Sequence, residues 1–238
     1  MADTLRSQLE AGPRDSLLDV ILNRVQKSGK TVLTTRIVYV ARLAQRQNSS
    51  DSVRALLSRV IEKHSSVEGE ITGFLLVYPL CYIHVIEGKT PQLMAVLREV
   101  LNHGADVRLA ETRVVSSCED VPGRHFNGWY VAYLPSGSTV ESMDPLDAFG
   151  AVKGATDINT FLRKAGPELL APMDPETRRK LSNVDASLED VPAQELVLSL
   201  TPTEDAPTVA EYLDIFDAPV NVDLESEQVW PMPPPLKY

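Results

Sequence analysis

Few side chains in this 238-residue sequence stand at spacings that could support metal or redox chemistry. Zinc sites need several histidines or cysteines at short, regular intervals. Cys81 and Cys118 are far apart, and no histidine forms a metal-like pair with a cysteine or with another histidine; the four histidines are His64, His84, His103 and His125. We therefore predict no metal site and two reduced thiols that serve only in packing.

Phosphate-binding and hydrolytic motifs are also missing. Gly29-Lys30-Thr31 looks like the end of a phosphate loop, but that motif needs a glycine where Arg24 stands, and a strand where a helix is predicted. There is no Gly-x-Ser-x-Gly nucleophile elbow. Adjacent acids such as Glu119-Asp120 are typical of solvated loops, and Asp174-Pro175-Glu176 is typical of a helix start. The sequence predicts a protein that is not an enzyme.

Charge and hydropathy limit the classes of partner. The net charge is -10, and 12 acidic residues but only one basic residue lie in 181–238, leaving 21 acidic and 22 basic residues of the chain's 33 and 23 in 1–180. Such an acidic end disfavours nucleic acid and is compatible with a basic protein partner or with simple solvation. No apolar run approaches the roughly 18 residues of a membrane span, and no signal core is visible, so we expect a cytoplasmic protein.

The elements that position these side chains centre on a hairpin in 70–88, EITGFLLVYPLCYIHVIEG. Its two strand-length apolar runs flank a turn at Pro79-Leu80. Apolar residues occupy both sets of alternate positions, which point to opposite faces of a strand. We therefore predict that both faces of this hairpin are buried.

Helices and strands follow in the order β-α-β-β-α-β-β, which predicts an α+β sheet. Strands are predicted at 36–42, within 70–88, at 107–115 and at 128–134. One helix starts at Asp51, and a second starts at Thr90 and ends near Gly104. Each carries one apolar stripe, so the two should cover one sheet face. The stripes are Val53, Leu56, Leu57, Val60 and Ile61 in the first helix, and Leu93, Val96, Leu97, Val100 and Leu101 in the second. The other face needs a further cover, which could be an N-terminal helix, a segment after residue 140, or a partner.

The chain divides into four parts on this basis. Residues 1–34 are an N-terminal extension with a short helix in 15–29, and 35–134 are the folded domain. Residues 135–183 are a linker with short helices at 157–165 and 175–181, and 184–238 are an acidic, proline-containing extended tail. Aromatic residues in such tails often anchor partners. We therefore predict protein-partner contacts at Tyr212, Phe216 and Trp230.

The hairpin and the segment before the last strand resemble those of BLUF domains, the flavin-binding blue-light sensors. ITGFLLVY, a short turn and YIHVIEG carry the likeness, together with Arg124-His125-Phe126-Asn127-Gly128-Trp129. The resemblance covers about Thr35 to Leu134. It implies a ferredoxin-like sheet with two helices on one face.

The family's photochemistry implies three residues around the flavin. A tyrosine ends the first strand, an asparagine precedes the Ile-Thr-Gly strand, and a glutamine lies on the second hairpin strand. Aligned on 71–73 and 86–88, these positions fall on Ala41, Ser66 and His84. Because all three depart from the pattern, we predict no flavin or other cofactor.

A degenerate group within this resemblance fits better: the BLUF-like proteins of sperm and cilia, which include testis-expressed members without the flavin residues. The likeness implies a non-catalytic structural subunit of a ciliary or flagellar axoneme, plausibly a central-apparatus projection, that binds protein partners and neither nucleic acid nor membrane. The alternative is a flavin sensor with rearranged residues, using Tyr39 and His84. A third hypothesis is a ligand-binding domain with a pocket between the two helices, although a small-molecule ligand is not expected.

Overall fold

The structure is a computed structural model that describes residues 34–43, 50–107, 109–121, 123–134, 143–166 and 190–217. Side chains are not described at 50–51, 66–68 and 103–110. Five strands and five helices are described: β1 (Thr34–Leu43), α1 (Ser50–Glu68), β2 (Thr72–Val77), β3 (Cys81–Gly88), α2 (Thr90–Val107), β4 (Leu109–Val121), β5 (Trp129–Tyr133), α3 (Ala148–Lys164), α4 (Gln194–Leu200) and α5 (Val209–Phe216). The predicted helix in 15–29 and the predicted short helix in 175–181 lie outside the described residues.

The five strands form one mixed sheet in the order β4-β1-β3-β2-β5. Strand β1 pairs antiparallel with both β3 and β4, β2 pairs antiparallel with β3, and β5 runs parallel to β2. The predicted element order and the α+β class are therefore confirmed. The hairpin of β2 and β3 lies in the interior of the sheet, and every residue of both strands is buried.

The first face of the sheet packs against α1 and α2. The predicted apolar stripe of α1 is buried, and so is that of α2 except for Leu101, which is exposed at the outer edge. This core joins alternate strand residues to the two helices and to α5; its strand members include Ile37, Tyr39, Ala41, Leu75, Val77, Tyr82 and Ile86. Such single-stripe helices bury one side only, as their periodicity predicts.

The second face is covered by a segment after residue 140, which is one of the three covers that the sequence left open. Helices α3 and α4 pack there on the outward residues of the hairpin and of β1, which are Val38, Val40, Phe74, Leu76, Ile83 and Val85. Their own buried residues are Ile158, Phe161, Leu162, Val197, Leu198 and Leu200. The sheet is thus the middle layer between two helical layers.

Helix α3 begins at Ala148, nine residues before the predicted start at Asp157. Asp147 caps it by accepting a hydrogen bond from the backbone N–H of Gly150 at 2.8 Å. Gly154 lies at the contact with α4, where an added Cβ would meet Leu196 at 2.9 Å. The glycines that make this stretch look like a linker are therefore compatible with a helix, and one of them lets two helices pack closely.

The prediction of an extended tail from residue 184 is wrong for residues 190–217. Helix α4 packs on the second face, residues 201–208 pass the edge strand β4, and α5 packs on the first face. The backbone N–H of Val114 donates to the carbonyl of Pro207 at 2.9 Å, and Arg113 donates to the carbonyls of Thr201 and Ala206 at 3.0 Å each. This stretch therefore covers part of an otherwise open sheet edge.

Two absences apply to the described residues alone. Within them, no helix combines the length and apolarity that crossing a membrane requires. Within the same residues, no three histidine, cysteine or acidic side chains converge as a metal site would need.

Candidate functional site

Ala41 and His84, two of the three residues aligned with the flavin positions of BLUF domains, lie together with Tyr39 on the first face of the sheet, beneath α1 and α2. Tyr39 of β1 lies directly opposite His84 of β3 in the antiparallel register. Ala41 lies two residues further along β1 and faces the same way. All three side chains are fully buried. The strand period of two brings these side chains together, since alternate residues share a face.

His84 is held by hydrogen bonds at both ring nitrogens. The indole N–H of Trp129 on β5 donates to Nε2 at 2.9 Å, and Nδ1 lies 2.6 Å from the hydroxyl oxygen of Tyr39. Because Nε2 accepts, the neutral ring carries its proton on Nδ1 and donates to Tyr39. Both nitrogens are thus used within the chain.

Burial decides the charge state of this network. It lowers the pKa of His84 to about 3, so the ring is neutral at physiological pH. Burial, together with the neighbouring Tyr82, raises the pKa of Tyr39 well above its usual value. A neutral imidazole and a protonated phenol, both shielded from water, can bind each other and hold Trp129 in place. They are poorly suited to proton transfer with a solvent-borne substrate.

The other two flavin-aligned positions offer a ligand little. Ala41 has no polar atom beyond its backbone and is packed in the core of the first face. Ser66 falls in the last turn of α1, where its side chain is not described. Of the polar side chains here, Tyr82 has a buried hydroxyl without a hydrogen-bond partner in the described chain. That single hydroxyl does not amount to a flavin site.

A second buried polar cluster lies on the opposite face of the same strand, around Glu87. One carboxylate oxygen pairs with Nε of Arg36 at 2.6 Å, and the other accepts from the Thr72 hydroxyl at 3.2 Å. The backbone N–H groups of His125 and Phe126 also donate to this carboxylate, at 3.0–3.1 Å. A buried carboxylate with this many donors is a stabilised charge.

The Glu87 cluster fixes the loop that leads into β5. Arg36 also donates to the carbonyl of Gly123 at 3.1 Å, and Arg124 donates to the hydroxyl of Thr72 at 3.0 Å. The loop is thereby tied to β1, β2 and β3 before the chain enters β5 and presents Trp129 to His84. We infer that the Glu87 cluster is structural and that it also positions the indole.

The three predicted partner anchors have different positions. Tyr212 is only 2% exposed, in the core between α5, α2 and β4, and its hydroxyl lies 2.7 Å from that of Ser117. Burial therefore rules out the predicted role of Tyr212 as a surface anchor. Phe216 is 56% exposed at the end of α5, and Trp230 lies outside the described residues.

Two residues of these clusters were missed from the sequence. The sequence indicates Trp129 only as part of a motif, although Trp129 completes the His84 network across a parallel strand pair. It indicates Glu87 only as part of the hairpin's end. The available signal was a lone acid in a strand that is apolar on both faces, since a buried charge requires a partner.

Comparison with solved structures gives several matches of low identity. One is a bacterial light-regulated adenylyl cyclase, with 19% identity, a TM-score of 0.35, and coverage of 42% of this chain and 27% of that one. Another is BlrP1 of Klebsiella pneumoniae with FMN and cyclic diGMP, with 23% identity, a TM-score of 0.34, and coverage of 43% and 26%. The chain thus spans about a quarter of the length of these two proteins.

The BLUF structure of BlrP1 is covered more fully, over 92% of its length and 58% of this chain, with 19% identity and a TM-score of 0.36. At these identities and TM-scores, no conclusion about chemistry follows. The strands and helices themselves define the class, an α+β protein with a mixed five-stranded sheet. The model of the family described as testis-expressed protein 47 matches residues 33–218, well over half of the chain. The chain belongs to the testis-expressed protein 47 family.

Proposed function

We propose that the protein is a non-catalytic assembly subunit that works by binding other proteins. The observation that carries the proposal is the His84 network. Where a flavin sensor would need open polar side chains, His84 is fully buried and both of its nitrogens are bonded within the chain, to Tyr39 and Trp129. A position satisfied in this way adds stability and offers no group to a ligand.

The proposed setting is a ciliary or flagellar axoneme, such as a central-apparatus projection, within the cytoplasm of sperm or ciliated cells. Support comes from membership in a family described as testis-expressed and from the resemblance to BLUF-like proteins of sperm and cilia. The acidic net charge of -10 fits protein partners and disfavours nucleic acid and anionic membrane surfaces.

The proposed contact surface is the outer side of α3. Phe149 and Val152, one helical turn apart, are 79% and 68% exposed. Two large apolar side chains on one turn resemble the anchors that helices present to apolar protein grooves. We propose a protein partner with an apolar groove at this position.

The proposal on assembly is tested by a double variant, Phe149→Asp with Val152→Asp, expressed with a tag in ciliated cells. Thr160→Asp, an exposed change on the same helix, is the matched control. We expect the double variant to be lost from the isolated axoneme fraction while the control is retained, with equal thermal unfolding of all three purified proteins. Equal incorporation of the double variant would contradict the proposed surface, and absence of the unaltered protein from axonemes would contradict the setting.

The alternative, a flavin-binding blue-light sensor, has one observation in its favour. Tyr39 and His84 do form a hydrogen bond on the face where the resemblance implies a flavin. The test is the visible absorption spectrum of the purified chain after incubation with FAD and desalting. We expect no flavin band. A band that remains and shifts under blue light would favour the sensor.

A further inference from the structure

A second exposed apolar surface lies at the end of α5, on the side of the sheet opposite α3. Ile215 and Phe216 are 65% and 56% exposed, and the ring of Phe216 packs on the buried Tyr212 with 4.6 Å between centroids. Glu211 and Asp214 are exposed on the same helix. We call these four exposed residues the α5 patch: an apolar pair beside two carboxylates.

The patch lies near the point where the N-terminal segment enters the sheet. Thr34, the first residue of β1, pairs with Val121 at the end of β4. Tyr212 is bonded to Ser117, four residues earlier on β4. At about 3.3 Å per strand residue, these two points are about 13 Å apart.

Residues 15–29 precede that point and lie outside the described residues. Their sequence predicts an amphipathic helix with Leu18, Ile21, Leu22 and Val25 on one side. Helices of the described chain already cover both faces of the sheet. The apolar side of a helix at 15–29 therefore needs a surface other than the sheet.

We propose that residues 15–29 cover the α5 patch, with their apolar side against Ile215 and Phe216. The connection from Gly29 to Thr34 is five residues, which can span about 17 Å, enough to reach from the start of β1 to α5. The segment is neutral, with Asp15 and Asp19 followed by Arg24 and Lys27. Its two basic residues can meet the carboxylate of Asp214, whereas that of Glu211 is already bonded to Thr208.

Charge disfavours other occupants of the patch. A second copy of α5 would bring the same carboxylates against each other. Residues 218–238 carry three acidic residues and one basic residue, so their charge suits the acidic patch less well than the neutral segment 15–29 does.

The connection from Gly29 to Thr34 is too short for residues 15–29 to reach Phe149 and Val152, the exposed pair on α3. The end of α3 lies at His125, since a Cβ added at Gly166 would overlap the His125 carbonyl, and His125 is bonded to Glu87 near the start of β1. Phe149 lies about 17 residues back along α3, or about 25 Å at 1.5 Å per residue. This inference goes beyond the proposed function and does not depend on it, since the α3 surface remains free for a partner.

Cross-linking of the full chain tests the inference. In a Cys118→Ser background, Leu22→Cys is combined with Phe216→Cys and treated with a short bismaleimide; Leu22→Cys with Phe149→Cys is the matched control. We expect an internal link, at monomer mass, in the first pair and not in the control. Linkage only at dimer mass would assign the patch to a second copy. Equal linkage in both pairs, or none in the first, would overturn the inference.

Hydrogen exchange provides a second measurement that introduces no cysteine. Leu22→Asp should raise the exchange of amides in residues 209–217 at least several-fold, because it places a carboxylate against an apolar and acidic surface. Asn23→Asp adds the same charge off the predicted stripe and should leave exchange there unchanged. Unchanged exchange in Leu22→Asp would argue for a foreign partner at the α5 patch.

Discussion

Strand β3 buries two polar side chains that are three residues apart. Both are equally buried, but different kinds of partner stabilise them. His84 faces α1 and α2, and Glu87 faces the other side of the sheet; both are fully buried. His84 has only uncharged partners, the Tyr39 hydroxyl and the Trp129 indole. Glu87 has a guanidinium, a hydroxyl and two backbone N–H groups.

The difference shows how one strand accommodates a base and an acid in the same core. A buried ionisable group either gives up its charge or is compensated by donors and opposite charge. His84 takes the first route and Glu87 the second. Removing the partners of a charge costs more than removing the partners of a neutral ring, so the two sites should respond differently to mutation.

The largest effect is expected from Glu87→Ala. This change leaves Arg36 without its partner and removes the acceptor of the His125 and Phe126 amides. Breaking one side of a buried pair typically costs about 3–5 kcal/mol. We expect a loss of unfolding free energy of that size in urea denaturation. Glu204→Ala, at an exposed position, should change it by less than about 0.5 kcal/mol.

The next largest effect is expected from lowering the pH, which should reduce the free energy of unfolding through His84. The pKa of His84 is about 3 in the folded protein, against an ordinary value of 6.5 that applies to the unfolded chain. Between these two pH values, the unfolded chain therefore binds one proton more than the folded protein. Stability from this residue is therefore full above pH 6.5 and is lost as the pH falls toward 3. Between pH 7 and pH 5 the wild type should lose about 2 kcal/mol more than His84→Gln, which lacks this proton. Parallel losses in urea denaturation at the two pH values would contradict this account.

An intermediate effect is expected from Trp129→Phe, which removes the donor to His84 Nε2. A buried acceptor left without a partner costs about 1–3 kcal/mol. The matched control is Tyr130→Phe, the next residue on β5, whose exposed hydroxyl bonds Asn127. We expect thermal unfolding to fall clearly for Trp129→Phe and little for Tyr130→Phe. Equal decreases in the unfolding temperature of the two variants would mean that the hydrogen bond from the Trp129 indole to His84 does not stabilise the fold.

The sheet could be predicted from the sequence because β1, the hairpin and the two striped helices have strong periodicity. Helices α3 and α4, which cover the second face, could not be predicted in this way, because their sequences are typical of a linker and of an extended tail. Gly150 and Gly154 broke the pattern of α3, although Gly154 serves the contact with α4. In α5, Thr208 and Glu211 form a capping box whose spacing was visible in the sequence.

The candidate site was predicted in part, for a related reason. Alignment on 71–73 and 86–88 identified His84 and Ala41, and the strand period correctly placed Tyr39 on the same face. Trp129 could not be joined to His84 without the sheet order, since β5 pairs with β2 and reaches β3 only across it. Glu87 required knowledge of the loop that folds back upon it.

The smallest effect is expected where a carboxylate like that of Glu87 lies near the surface. Glu99 of α2 accepts from Lys63 at 2.9 Å and lies 2.6 Å from His64 Nε2, both on α1. Although partial burial acts in the opposite direction, these partners hold the pKa of Glu99 below its usual value. Lys63 is largely exposed, so water and salt screen the pair, and Glu99→Gln should cost less than about 1 kcal/mol.

The cost of Glu99→Gln should shrink in 1 M salt, where the screening length is about 3 Å, whereas the cost of Glu87→Ala should persist. Urea denaturation at low and high salt would show this. A Glu99→Gln cost that matches Glu87→Ala and ignores salt would mean that burial does not set the difference between these two carboxylates.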